Sequence, residues 1–430
     1  MDREGRHRVS RPSRNAGTNR VVRRYGNMPA RRVLLILFAF ASLGILAEGP
    51  PQPLPPMTAE KWREDVDFVA RELPKRHKNL YHSNTAEQFA AEVAKLRAKA
   101  AVGDDDAMIV GLMQLCAMVG DGHTYVRLPS SIHQYPIGTA LIEGNYRIVR
   151  GAGPAADLVG GRLIRIDDTP LDDVIARTHT ILPQHESDVL LEAFTPQWLF
   201  VSEVMHGLGI TKSAASARFT VTLDDGTERS ADVVSIDLTA KPEWRTASAT
   251  QPLYRQRMSE SFWFTWLADS ATVYVSFRKY DDLRSKSREL WSFVDSHLVK
   301  KIAIDIRQNG GGDFNVGRKY MVDELARRPQ VRGYVITSGR TFSAALKNAI
   351  DFREVAHATL VGETIGERPN SYSENDEIRL PNARMEISYS TRYYKFLADD
   401  GLVKPDRELL PSWADWVAGR DPALEWIVRQ

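Results

Sequence analysis

Three short polar segments of this chain carry residue types that can do covalent or proton-transfer chemistry. Gly120-Asp121-Gly122-His123-Thr124 follows an apolar stretch and offers an imidazole. Asp305-Ile306-Arg307-Gln308-Asn309-Gly310-Gly311-Gly312-Asp313 opens an apolar strand into three glycines, whose N–H groups can approach a ligand with no side chain in the way. Ser338-Gly339-Arg340-Thr341-Phe342-Ser343-Ala344-Ala345 ends a strand, turns sharply and begins a helix near a serine. Singly, each is ordinary. A triple glycine after a strand marks a turn, a serine opening a helix is an N-cap, and a histidine in a Gly-rich loop sits on the surface. Together they supply what acyl transfer needs: a hydroxyl to activate, a base to activate it, and N–H donors for an oxyanion.

The elements that must position these segments are readable from periodicity. Thr58 can cap a helix with the stripe Trp62, Val66, Val69, Leu73, stopped by Pro74. Thr85-Ala86-Glu87-Gln88 is a capping box ahead of Phe89, Val93, Leu96 and Ala100. Asp104, Asp105 and Asp106 suit the positive end of a third helix, which Gly120 ends. Between 130 and 240 the pattern turns to short alternating strands at 145–149 and 162–166. A helix at 171–177 follows, then a strand at 219–223 running into the hairpin signal Asp224-Asp225-Gly226. From 270 onward strands at 272–277, 301–306, 331–337 and 358–362 alternate with helices at 282–298, 315–327 and 343–352. That alternation predicts a largely parallel sheet.

Bulk properties narrow the function. The formal charge of +2 over 430 residues hides an asymmetry. Residues 1–47 hold ten Arg against Asp2 and Glu4, so removing them takes 57 basic and 55 acidic residues to 47 and 53, a net of −6. The body is mildly acidic and has no electrostatic footprint for nucleic acid. Arg31-Arg32 leads into an apolar run from Val33 to Ala47, followed by the Pro-rich spacer 48–56. A basic flank and a run this short read as a secretory signal, with an uncleaved anchor as the other version. The expected location is periplasmic or secreted, with membrane association through 33–47. The single cysteine, Cys116, lies on the apolar stripe Met108, Leu112, Cys116, Val119 and reads as a small core hydrophobe. No Cys/His cluster has metal-ligand spacing.

Asp-Gly-His-Thr, Ile-Arg-Gln-Asn-Gly-Gly-Gly-Asp and Thr-Phe-Ser-Ala-Ala, in this order, resemble the tail-specific (carboxy-terminal processing) serine protease family. Leu360-Val361-Gly362-Glu363-Thr364-Ile365-Gly366, Leu380-Pro381-Asn382 and Lys404-Pro405-Asp406 fit it too, so the resemblance spans about residues 57–420. It implies a multidomain α+β and α/β chain with a crotonase-like (ClpP-like) α/β core. The expected organisation is signal and spacer at 1–56, a helical unit at 57–129, a degenerate PDZ-like region at 130–240 and the catalytic core at 241–430. Residues 158–175 are similar to the second half of a PDZ domain, without a Gly-Leu-Gly-Phe-type carboxylate loop before them.

The resemblance also implies roles. Ser343 is the nucleophile. Lysine-type members place their base in a segment matched here by Thr364-Ile365-Gly366-Glu367, where the lysine is absent. The chain resembles instead the tricorn-like branch, whose histidine base matches His123. That branch also has an acid shortly before its Pro-Asp motif. Asp399 is the nearest match, with Asp400 and Glu367 competing. N–H groups of Ala344 and of Gly311 or Gly312 would hold the oxyanion. Lys347, one helical turn after Ser343, is the alternative base, while Asp305 and Arg307 read as structural. The implied activity is peptide or protein hydrolysis through an acyl-enzyme, without metal or organic cofactor. The rivals are a hydrophobic-ligand carrier of the same fold, which resembles the retinoid-binding repeats of the eye, and a peptide-binding scaffold.

Overall fold

A computed structural model describes residues 52–430. The predicted signal segment lies outside the described residues. Among the described residues no helix is long and apolar enough to cross a membrane.

The chain begins with three helices, α1 (Ala59–Arg76), α2 (Ala86–Lys99) and α3 (Asp105–Ala117). Their starts are fixed by side-chain caps. Thr58 accepts the Lys61 N–H, Thr85 and Gln88 form a reciprocal capping box, and Asp104 accepts the Ala107 N–H. The α1 stripe Trp62, Val66, Val69 and Leu73 is buried to 2% exposure or less. Pro74 does not end α1, which runs on to Arg76. A proline removes one N–H and crowds the carbonyl four residues back, and the Leu73 carbonyl still accepts the His77 N–H at 3.0 Å. Cys116 is buried, and burial pushes its thiol well above the usual range. Strand β1 (Tyr125–Arg127) follows directly after the His123 loop.

The next stretch is an antiparallel sheet. Its main strands are β2 (Ile137–Ile142), β3 (Asn145–Gly151), β4 (Arg162–Ile166), β5 (Ser216–Thr222) and β6 (Glu228–Val234). Two-residue strands at Thr169–Pro170 and Arg245–Thr246 complete seven. Helices α4 (Leu171–His179) and α5 (Asp188–Trp198) lie between β4 and β5 in the chain. The connection between them, residues 180–187, reaches the candidate site.

A second sheet has six strands in the order β7–β8–β9–β10–β11 and then a short strand at Arg407–Glu408. These are β7 (Phe262–Leu267), β8 (Thr272–Phe277), β9 (Lys301–Asp305), β10 (Arg332–Thr337) and β11 (Thr359–Gly362). Only the β7–β8 pair is antiparallel; every other pairing is parallel. Both faces are covered, as a parallel sheet requires. Val273, Val275, Ile302, Ile304 and Val335 face helices α6 (Leu283–Ser296) and α7 (Ala344–Val355). The alternate residues Tyr274, Ala303, Tyr334 and Ile336 pack with Ala423, Leu424 and Ile427 of the helix at Pro422–Arg429. The helix expected at 315–327 is broken by a π-turn at Arg318–Val322.

The chain then forms a long hairpin, β12 (Asn370–Arg379) and β13 (Glu386–Lys395). The hairpin does not join the parallel sheet. β13 pairs with β1, through Tyr125–Ser388 and Val126–Ile387, giving the order β1–β13–β12. Residues 370–395 are thereby brought beside the His123 loop, more than 240 positions earlier in the chain.

Candidate active site

Ser343 follows the turn after β10 and occupies the position before α7. Its φ and ψ are 56° and −122°, outside the ordinary regions for a side-chain-bearing residue. The turn is clamped from several sides. Ser338 Oγ donates to the Arg307 carbonyl at 2.7 Å, Thr341 Oγ1 to the Ile306 carbonyl at 3.1 Å, and the Phe342 N–H to the Asn309 carbonyl at 3.0 Å. Asn309 is fully buried and does more than receive that bond. Its Nδ2 donates to the Phe277 carbonyl at 3.0 Å, and its Oδ1 accepts the Gly311 N–H at 2.9 Å. One residue thus ties the end of β8, the Gly-rich loop and the Ser343 turn together. Below it, Arg307 bridges Asp305 at 2.5 Å and Asp421 at 2.7 Å. Asp305 also accepts the Tyr274 hydroxyl at 2.8 Å.

Ser343 sits where an N-cap would, yet its side chain caps nothing. Its Oγ lies 3.0 Å from His123 Nε2. The imidazole is 6% exposed and stacks on the Phe342 ring, centroids 4.8 Å apart. Its loop is anchored by Asp121. This buried carboxylate accepts the His123 N–H at 3.1 Å, Thr124 Oγ1 at 3.0 Å and Ser390 Oγ at 2.6 Å, and contacts His77 Nε2 at 2.9 Å. Burial alone would raise the Asp121 pKa. The hydrogen bonds from His77, His82 and Ser390 and the charge of His77 overcome it and hold the group well below the usual carboxylate range.

The carboxylate facing the other ring nitrogen is Glu367, with Oε1 3.8 Å from His123 Nδ1. Its Oε2 accepts the Ser343 N–H. Asp399 is not brought to the imidazole. It is exposed in the turn after β13, and its carboxylate accepts the Gly401 N–H at 2.9 Å. Asp400 instead accepts Asn370 Nδ2 at 2.7 Å. Lys347 is also turned elsewhere: its Nζ lies 2.5 Å from Asp351 Oδ1, on the same face of α7.

The two glycines expected to hold an oxyanion are not equivalent. The Gly311 N–H is already committed to Asn309. What Gly311 contributes is a missing side chain, since a Cβ there would lie 2.6 Å from Ser343 Cβ. Gly312 and Ala344 are the N–H donors left, and Ala344, as the first residue of α7, has no partner within its helix.

Two groups at the site, the buried Glu186 and the half-buried Ser373, lie outside the three sequence motifs. Glu186, from the α4–α5 connection, accepts the Gly122 N–H at 3.3 Å and the Arg368 N–H at 2.9 Å. It therefore bridges the loop of His123 to the loop of Glu367. Ser187 Oγ adds a bond to the Gly366 carbonyl at 2.5 Å, and Arg368 Nε one to the His185 carbonyl at 2.8 Å. Ser373, on β12, places its Oγ 3.1 Å from His123 Nε2. Nothing in the local sequence of either residue signals the contact, because both depend on segments far apart in the chain.

Burial sets the charges. It lowers the His123 pKa to about 4, opposed only by the Asp121 charge, so the imidazole is neutral near pH 7. It raises Glu367 well above the usual carboxylate range, helped by the neighbouring Glu186 and Asp121 charges. Glu186 is raised to about 7 by burial and by Asp121, against the two N–H groups it accepts. A neutral imidazole with a free lone pair beside a serine hydroxyl is the arrangement that general-base activation needs.

The solved structures add the fold. The chain shares its architecture with mature CPAF. In a complex with lactacystin, that protein matches at a TM-score of 0.58 and 11% identity, covering 86% of this chain and 97% of its own. A mutant of CPAF matches at 0.58 and 13%, covering 83% and 94%. At such identities the likeness concerns the fold. No family model and no curated protein matches the chain. Elsewhere among the described residues, Asp104, Asp106 and His206 bring three possible cation ligands together, with His206 Nδ1 2.7 Å from Asp106. A hydrogen bond accounts for that contact.

Proposed function

We propose that the protein is a serine endopeptidase acting through an acyl-enzyme, with Ser343 as nucleophile and His123 as general base. One observation carries the reading: a serine at a helix start leaves the cap unmade, with a positive φ, and points its Oγ at a buried neutral imidazole 3.0 Å away. The resemblance of the three motifs to tail-specific proteases and the fold shared with CPAF support it. On this reading the fold divides into the crotonase-like core and PDZ-like region that the resemblance implies. On the same reading, His123 in place of a lysine favours the tricorn-like branch.

Ser343 Oγ forms a bond to the scissile carbonyl carbon as its proton passes to His123 Nε2. The carbonyl oxygen takes the negative charge and receives N–H bonds from Ala344 and Gly312, each such donor being worth about 3–4 kcal/mol in comparable sites. The C–N bond then breaks as Nε2–H protonates the leaving amine. Water, deprotonated by the same nitrogen, releases the acyl group from Ser343. Glu367 Oε1, 3.8 Å from Nδ1 and beyond hydrogen-bond reach at rest, would close on Nδ1–H when Glu367 ionises, favouring the tautomer that leaves Nε2 free and supporting the imidazolium.

The substrate is a peptide or protein, met outside the cytoplasm if the Val33–Ala47 run acts as a signal or anchor. A fluorophosphonate probe, which labels only an activated serine, and hydrolysis of unfolded casein test the assignment. Wild type should label and hydrolyse; Ser343→Ala should do neither while melting like wild type. Equal turnover by the two proteins would end the reading.

A further inference from the structure

Three serines of the β12–β13 hairpin contact the base loop. Ser388 Oγ donates to the His123 carbonyl at 2.9 Å, and Ser390 Oγ to Asp121 Oδ1 at 2.6 Å. These two hold the loop. The third, Ser373, reaches the reactive nitrogen itself, so Nε2 has two hydroxyls at nearly equal distance: Ser343 at 3.0 Å and Ser373 at 3.1 Å.

A neutral imidazole with its proton on Nδ1 has one lone pair at Nε2 and can accept fully from only one hydroxyl. At rest, then, the two serines compete. The count changes once Ser343 has reacted. Nε2 now carries a proton, and Ser343 Oγ is bonded to the substrate carbon and has become a poor acceptor. The hydroxyl of Ser373 can turn, since its proton is free to rotate, and offer a lone pair to Nε2–H.

We propose that Ser373 is a further catalytic residue, whose Oγ accepts the hydrogen bond of the protonated His123 between the two proton transfers of acylation. No bond to Ser373 forms or breaks. It holds the imidazolium in the ring plane set by Phe342 until the leaving amine takes the proton. The inference rests on the assignment of Ser343 and His123 above. The other charged groups that face the base loop act through different atoms. Glu367 faces Nδ1, Asp121 anchors the backbone, and Glu186 holds the Gly122 N–H.

The two roles a hydroxyl could play at Nε2 have opposite signatures. If Ser373 accepts from the imidazolium, removing it disfavours the charged form, and the His123 pKa falls. If it only donates to the neutral ring, it holds the base back, and removing it raises both that pKa and the rate. Casein hydrolysis by Ser373→Ala should show kcat about tenfold lower with KM unchanged, the loss expected for one hydrogen bond to a charged group. Ser373→Thr, which keeps the hydroxyl, should restore most of it. A second measurement does not need turnover. NMR titration of the His123 ring proton in Ser343→Ala, with and without Ser373→Ala, should give the lower pKa in the double variant. An equal or higher His123 pKa, or an undiminished kcat in Ser373→Ala, overturns the proposal. An inactive wild type would sink the peptidase assignment and this proposal with it, whereas an active wild type whose His123 pKa does not fall on removal of Ser373 overturns this proposal alone.

Discussion

The Gly-rich loop makes a demand that one methyl group can test. Gly311 has φ = 108°, and a Cβ added there would stand 2.6 Å from Ser343 Cβ, 3.1 Å from Ser343 Oγ and 3.2 Å from the Ala344 nitrogen. Nonbonded carbons settle at about 3.5–4.0 Å, so Gly311→Ala must push Ser343 away by roughly 1 Å. Neither side can yield cheaply. The Ser343 turn is pinned by Asn309, and the loop is pinned by the same residue. The unfavourable backbone costs about 1–3 kcal/mol and the overpacking about 1–3 more. A chain of this size loses roughly 2–4 °C of Tm per kcal/mol, so Tm should fall by about 5–20 °C. A displacement of that size between nucleophile and base is worth about 100-fold in rate. The control is Gly144→Ala, where φ is also positive at 72° but a Cβ meets nothing within 4 Å. It carries the backbone cost alone and should keep its kcat/KM. Both variants would be compared with wild type on casein at a temperature well below either melt. If Gly311→Ala lost no more activity than Gly144→Ala, the close approach would have no part in placing Ser343.

Further expectations separate the acids and the lysine. Glu367→Gln should lower kcat strongly, whereas Asp399→Asn, exposed and bonded to Gly401, should leave kcat/KM within about twofold; the reverse order would return the third role to Asp399. Lys347→Met breaks an ion pair with Asp351 and should cost stability without abolishing hydrolysis, which a casein assay beside a thermal melt would show. Glu367 supports the imidazolium only when ionised, and an ionised Glu186 opposes that. Glu186→Gln should therefore move the rise of kcat/KM with pH toward lower pH, and a shift toward higher pH would contradict the charge assignment. The same group makes a stability prediction. With its folded pKa raised from 4.5 to about 7, the native protein keeps a proton that the unfolded chain has released. Stability is then lost as pH rises from about 4.5 through 7, by up to about 3 kcal/mol. Tm measured from pH 5 to 8 should decline less in Glu186→Gln than in wild type.

Much of this was legible because it is local. The stripes of α1 and α2, their caps, and the alternation of strands and helices after 270 depend on neighbours within a few positions. The three motif segments were conspicuous because they put polar and glycine residues where apolar elements end. What escaped depends on long-range register. Ser373 meets His123 only because β13 pairs with β1 and carries β12 along. Glu186 lies in a polar connection without periodicity, and its importance comes from two N–H groups contributed by different loops. The choice between Asp399 and Glu367 turned on which carboxylate is buried, and a motif spacing does not carry that information. Pro74 misled for a different reason: one lost hydrogen bond near a helix end is a smaller cost than a stop requires.

The clip formed by His185, Glu186 and Ser187 bears on how this architecture can be cut and recombined. Those residues belong to the stretch with the antiparallel sheet, yet they are the struts between the base loop and the acid loop. A chimera that exchanged residues 130–240 for the equivalent stretch of a distant relative would transplant these struts too. Folding of the recipient would not guarantee the spacing between His123 and Glu367. The unit of inheritance for the chemistry is therefore discontinuous: 120–124, 185–187, 305–313, 338–344, 366–368 and the hairpin serines that contact the base loop must travel together. Substitutions among these segments should be tolerated in matched sets more readily than one at a time.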